Sequence, residues 1–129
     1  MEDMNKLLQT ADWKTEKHAP VIEIKEKDDK DLLFIKVSVG KEIAHPNQTQ
    51  HHIRWIQLLF KPEGEKFPFE VGKIDFTSHG ESPTGPDTST VYTEPKGFFA
   101  LKTGKPGTLI GLSYCNIHGL WRSEVKLTL

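Results

Sequence analysis

From about residue 20 onward, hydrophobic positions come in short runs rich in β-branched and aromatic residues. Leu32–Val39, Ile53–Phe60 and Phe69–Phe76 are the clearest, and Pro20–Glu26 alternates in part. Ser89–Thr93, Phe98–Leu101, Leu109–Tyr114 and Ser123–Leu129 read the same way. Such runs are strand signals. Between them stand Asp28-Asp29-Lys30-Asp31, Lys61-Pro62-Glu63-Gly64, Ser82-Pro83-Thr84-Gly85-Pro86 and Thr103-Gly104-Lys105-Pro106-Gly107. Their Asp, Pro and Gly residues mark turns. About seven or eight short strands at this spacing predict an all-β sandwich or small barrel. Only residues 4–13 carry a helical pattern, with Leu7, Leu8 and Ala11 on one stripe and Trp13 near its end. The longest polar stretch rich in Pro and Gly, His79–Thr90, reads as a surface loop, and His79 as an exposed residue within it.

The chain has 129 residues, which predicts one domain spanning 1–129 with its own core. Lys plus Arg number 17 and Asp plus Glu 18, so nothing global points to nucleic acid or an anionic membrane. Met1-Glu2-Asp3-Met4-Asn5 lacks the basic and apolar regions of a secretory signal, and no apolar run reaches transmembrane length. With a single cysteine, these features predict a reducing, cytoplasmic setting.

The chemistry concentrates in Cys115-Asn116-Ile117-His118, set within Tyr114–Trp121. A lone cysteine makes no internal disulfide and no four-thiolate metal site, but it supplies one soft thiolate to a metal otherwise held by imidazoles. Cys-x-x-His on a tight turn after a strand lets both side chains converge on one ion. The bland alternative is a small buried residue in a strand. Gly111 and Gly119 flank the motif and permit close backbone approach. Upstream, Pro46 sets His45 in an extended or turn conformation, and a short polar loop leads to His51. His52 is adjacent, and in an extended segment the two point to opposite faces, so spacing does not say which is the ligand. His18, in Glu16-Lys17-His18-Ala19-Pro20, carries little information alone. Four imidazoles with one thiolate exceed the four ligands of structural zinc and suit a redox metal with an open position.

Taken in order, these segments resemble superoxide reductases of the short, single-iron, neelaredoxin-like kind within the desulfoferrodoxin family. The resemblance runs from about Asp12 to Leu129 through Glu16–Pro20, His45-Pro46-Asn47, His51-His52-Ile53-Arg54-Trp55-Ile56 and Cys115–Trp121. It implies an immunoglobulin-like β-barrel of seven strands and a homotetramer. It also implies one mononuclear Fe(II)/Fe(III) held by His18, His45, His51 and His118 in a plane, with Cys115 axial. Glu16 matches the glutamate that takes the sixth position in the oxidised resting state, and Lys17 the positive residue beside the open site. The implied reaction is one-electron reduction of superoxide to hydrogen peroxide, with a rubredoxin-type donor returning the electron. The backbone N–H groups of Asn116, Ile117 and His118 are candidate donors to the sulfur. Longer relatives carry an N-terminal four-cysteine iron domain that this chain has neither the length nor the cysteines to form.

Two other classes share parts of this pattern. A cupredoxin-like electron carrier presents a similar cysteine and histidine, but needs a weak axial ligand, usually methionine, a few residues on. Here the methionines are Met1 and Met4. A non-catalytic β-sandwich module would need only a closed, redox-silent site.

Overall fold

The period-two burial that makes a half-buried strand is plainest in Leu32–Ser38: Leu33, Ile35 and Val37 are buried, Phe34 is exposed and Lys36 half-buried. The computed structural model describes residues 3–28 and 30–129; Asp29, in the first expected turn, and Met1 and Glu2 lie outside them. A four-residue helix, α1 (Met4–Leu7), precedes seven strands: β1 (Val21–Lys27), β2 (Leu32–Ser38), β3 (Ile53–Pro62), β4 (Phe69–Asp75), β5 (Lys96–Lys102), β6 (Gly107–Cys115) and β7 (Gly119–Leu127). They form two antiparallel sheets, ordered β1-β2-β5 and β4-β3-β6-β7. The fold is therefore the expected all-β sandwich. Among the described residues, no helix is long and apolar enough to cross a membrane.

The core lies between the sheets. Leu33, Ile35 and Val37 of β2 face Ile56, Leu58 and Phe60 of β3, with Leu109 and Leu127 alongside. Fully burying one such side chain stabilises the fold by about 1.5–3 kcal/mol, so this layer holds the sheets together. Gly97 belongs to the same layer. A Cβ there would stand 2.6 Å from Ile74 Cδ1 and 2.7 Å from Ile56 Cδ1, so any larger residue would have to push these two isoleucine ends aside.

Two expected elements differ. The helix expected over 4–13 stops at Leu7, and α1 buries no residue. Its stripe of Leu7, Leu8 and Ala11 finds no surface to cover, and an isolated short helix is marginal in water. The chain instead extends, and Gln9 pairs with β7: its N–H donates to the Leu120 carbonyl (3.0 Å) and its carbonyl accepts from Arg122 N–H (2.8 Å). Ser89–Thr93 forms no strand. Asp87 adopts φ 55°, the N–H groups of Thr88 and Ser89 both donate to the Gly80 carbonyl, and only an isolated bridge joins Tyr92 to His79. The local turn claims the hydrogen bonds that a ladder would need.

The topology brings distant segments to one end of the sandwich. Ile53 at the start of β3 pairs with Cys115 at the end of β6, so His51-His52 stands beside the Cys115 turn. A register shift between Ile53 and Trp55 bends β3 there, as bulges do beside functional sites. Buried Ser113 donates its hydroxyl to the His18 carbonyl (3.2 Å), fixing the segment before β1 at the same end.

Candidate metal centre

Cys115 closes β6, three residues turn, and Gly119 opens β7 at φ +81°. The positive φ is open to glycine at no steric cost and makes this return possible. Cys115 is fully buried, and the His118 N–H donates to its Sγ at 3.3 Å. Of the three backbone donors expected at the sulfur, Asn116 is committed elsewhere: its N–H donates to the His52 carbonyl (3.2 Å). Its side chain also accepts from His52 N–H (2.9 Å) and donates to the Gln50 carbonyl (3.0 Å). Asn116 thus straps the segment bearing His51 to the cysteine turn.

Four imidazoles form a closed ring beside the sulfur. Neighbouring centroids lie 4.8 Å apart for His18–His45, 4.9 Å for His45–His51, 5.1 Å for His51–His118 and 4.8 Å for His118–His18. Ligand atoms of His18, His45, His51 and Cys115 all lie within 4.8 Å of one another. His118 joins through Nδ1, 3.1 Å from His18 Nε2 and 3.8 Å from Cys115 Sγ.

Two ring nitrogens in this cluster have no protein partner. Nε2 of His45 and Nε2 of His51 are buried and unbonded. A buried polar atom without a hydrogen bond is costly and rare, so it calls for an occupant. The Nδ1 of His45 donates to the Pro46 carbonyl (2.7 Å), which leaves the Nε2 lone pair facing the cluster. Burial, aided by the charges of His18, His51 and Lys17, pushes His45 down to about 4. His51 is lowered too, first by burial and then by His118, His18 and Lys17. Both are therefore neutral near pH 7, the form that ligates a metal.

Glu16 lies on the outer side of His18. Its carboxylate bonds the ring Nδ1 and accepts the N–H groups of His18 (2.6 Å) and Ala19 (2.8 Å). Burial alone would raise this carboxyl, but these hydrogen bonds outweigh it and the net direction is down. An anion on the far nitrogen of a ligand imidazole fixes its tautomer and orientation. On its open face His18 stacks on Trp121, with centroids 4.9 Å apart and 12° between planes. Lys17 is half-buried, and its charge acts on both His45 and His51.

The remaining histidines stay outside the ring. His79, expected on the surface, is 4% exposed. It packs face to face on buried His52, at 3.4 Å and 6°. A polar sequence does not reveal burial when the neighbours that cover it are themselves loop residues.

The desulfoferrodoxin family model matches residues 10–124. The chain belongs to the desulfoferrodoxin family. It is similar to a superoxide reductase of Pyrococcus furiosus, 57% identical over 96% of this chain and 98% of that protein. A neelaredoxin of Megalodesulfovibrio gigas is 55% identical over 95% of each. The solved structure of the reduced superoxide reductase (neelaredoxin) of Archaeoglobus fulgidus superposes with a TM-score of 0.92 at 58% identity, covering 95% of this chain and 99% of that one.

The donor set of this desulfoferrodoxin-family chain fits iron. Imidazoles and a thiolate suit a redox-active transition metal, and five donors exceed the closed tetrahedron of structural zinc. The orphaned Nε2 atoms of His45 and His51 face the position such an ion would take. Sequence reasoning missed Trp121, Asn116 and Ser113 as supports of the ligands. The first two stand within or beside the Cys115–His118 motif, which was the signal that could have found them.

Proposed function

We propose that this chain is a superoxide reductase, a single iron-binding domain that converts superoxide to hydrogen peroxide without releasing oxygen. The observation that carries the reading is the closed ring of four imidazoles beside the buried Cys115 thiol, with two orphaned nitrogens. His18, His45, His51, His118 and Cys115 would hold the ion. Iron in that set would supply the single electron that the reaction consumes, and the two protons that complete hydrogen peroxide come from solvent water.

The protein's own groups do the rest. Superoxide is a small anion, and the Lys17 ammonium raises its local concentration at the ring. The His118 N–H donates to the Cys115 sulfur and moderates its electron donation. Burial of His45 and His51 keeps them neutral, so the metal does not compete with protons near pH 7. Glu16, whose carboxylate stands against His18, would be a further residue to hold the oxidised ion. Glu16→Ala should then open the oxidised protein to added cyanide, and unchanged cyanide affinity would remove this role.

Each turnover consumes one electron, so a one-electron donor must return it; a rubredoxin-type protein in the cytoplasm fits that need. We take the working assembly to be a homotetramer. The reaction is tested by mixing reduced, iron-loaded protein with a pulse of superoxide. About one peroxide per superoxide, with no oxygen evolved, is the expected result. Oxygen and peroxide in equal amounts would mean dismutation, and an unreactive protein would end the proposal.

A further inference from the structure

The loop from His45 to His51 carries two of the five donors, yet it contains no helix or strand. Ligand geometry must come from what holds that loop. We infer that His79 is a positioning residue for the metal centre, the anchor of a clamp that the polar 76–93 segment closes on the loop. The consequence for iron rests on the function proposed above; the clamp itself does not.

The clamp has several teeth. The His79 ring lies flat on the His52 ring, and His52 Nδ1 donates to the Gln48 carbonyl (2.9 Å) at the base of the turn bearing His51. His79 Nε2 donates to the Phe76 carbonyl (2.7 Å), and Phe76 N–H in turn donates to the Arg54 carbonyl of β3 (2.7 Å). The stack is thereby tied to the sheet. The His79 carbonyl accepts the Thr49 hydroxyl (2.7 Å). Thr49 and Asp87 close a reciprocal pair, Thr49 N–H to Asp87 Oδ1 (2.9 Å) and Asp87 N–H to Thr49 Oγ1 (3.0 Å). Beside His45, the Asn47 amide donates to the Thr93 carbonyl (3.2 Å).

Burying two imidazoles against each other is costly unless their nitrogens are satisfied and the packing is put to use. Here each ring spends a nitrogen on a backbone carbonyl, and neither takes a place in the donor ring. Their position between β3 and the ligand loop is that of an outer support, the kind whose loss typically weakens a metal site by about 10- to 100-fold.

The test compares wild type with His79→Ala, His79→Gln and Thr49→Val. Three quantities are read: the rate at which excess chelator strips iron, the thiolate-to-iron absorption band of the oxidised protein, and amide exchange in the metal-free protein. His79→Ala should lose iron about 10-fold faster or more, shift the band, and speed exchange at Gln48, His51 and His52 but not at Leu58 in the core. His79→Gln, which keeps a donor, should recover part of this. Thr49→Val should show a smaller change of the same sign even if no His79 variant folds. Wild-type release, band and loop exchange in Thr49→Val and in every folded His79 variant would overturn the inference. If wild type takes up no iron, the proposed function fails, and the exchange comparison still decides the role of His79.

Discussion

The molecule holds two sets of packed imidazoles within one small region, and they are built on opposite rules. In the ring of His18, His45, His51 and His118, neighbours meet edge-on or tilted, and two buried Nε2 atoms have no partner. In the His52–His79 stack the rings lie parallel, and a nitrogen of each is bonded to a carbonyl. The first set is incomplete as a protein structure; the second is complete. Burial alone does not mark a ligand histidine. In His45 and His51 the mark is a buried nitrogen left over after the protein's own hydrogen bonds are counted, whereas His18 and His118 turn their nitrogens toward each other inside the ring.

Adjacent residues give the widest break in this comparison. His51→Ala removes a donor and should weaken iron binding on the order of 100-fold or more, whereas His52→Ala removes only a support and should cost about 10-fold. Chelator competition on the two variants reads the difference, and equal losses would erase the distinction between ring and stack. Cys115→Ser tests the sulfur beside the ring. It should lose the thiolate absorption entirely and hold iron on the order of 100-fold more weakly.

The metal-free protein should show the incompleteness of the ring as a pH effect. His45 falls from 6.5 to about 4 on folding, so the unfolded chain binds more protons between those values. Stability should therefore rise with pH through that window and level off above about 6.5, by roughly 1–3 kcal/mol. His51 adds to the same direction. Urea unfolding of metal-free wild type and His45→Phe across this range checks it; the variant should show a shallower slope. The smallest expected effect is that of Lys17→Ala, which lies outside both sets. It should slow the second-order reaction about 2- to 5-fold and weaken its salt dependence. Identical rates and salt slopes would remove Lys17 from the mechanism.

Most of the strands were legible because their runs are rich in β-branched and aromatic residues between turn signals; the alternation of buried and less buried positions in β2, β3 and β6 emerges only in the structure. The helix was overread because a stripe of Leu7, Leu8 and Ala11 says nothing about whether a surface exists to receive it. The choice of His51 over His52 was beyond spacing and came from family resemblance. In the structure it has a local cause: Asn116 holds the His52 backbone, which turns that ring toward His79 and leaves His51 facing Cys115. The clamp at His79 was illegible, since its contacts join residues about 30 apart in sequence through loop hydrogen bonds that leave no periodic trace.

In the proposed centre four imidazoles and one thiolate of this chain would share a single iron. X-ray absorption at the iron edge of the reduced, iron-loaded protein tests it most directly. The expected shell is one sulfur and four imidazole nitrogens around the metal, with the sulfur lost in Cys115→Ser. A wild-type shell without sulfur, or one filled by oxygen in place of the imidazoles, would contradict it.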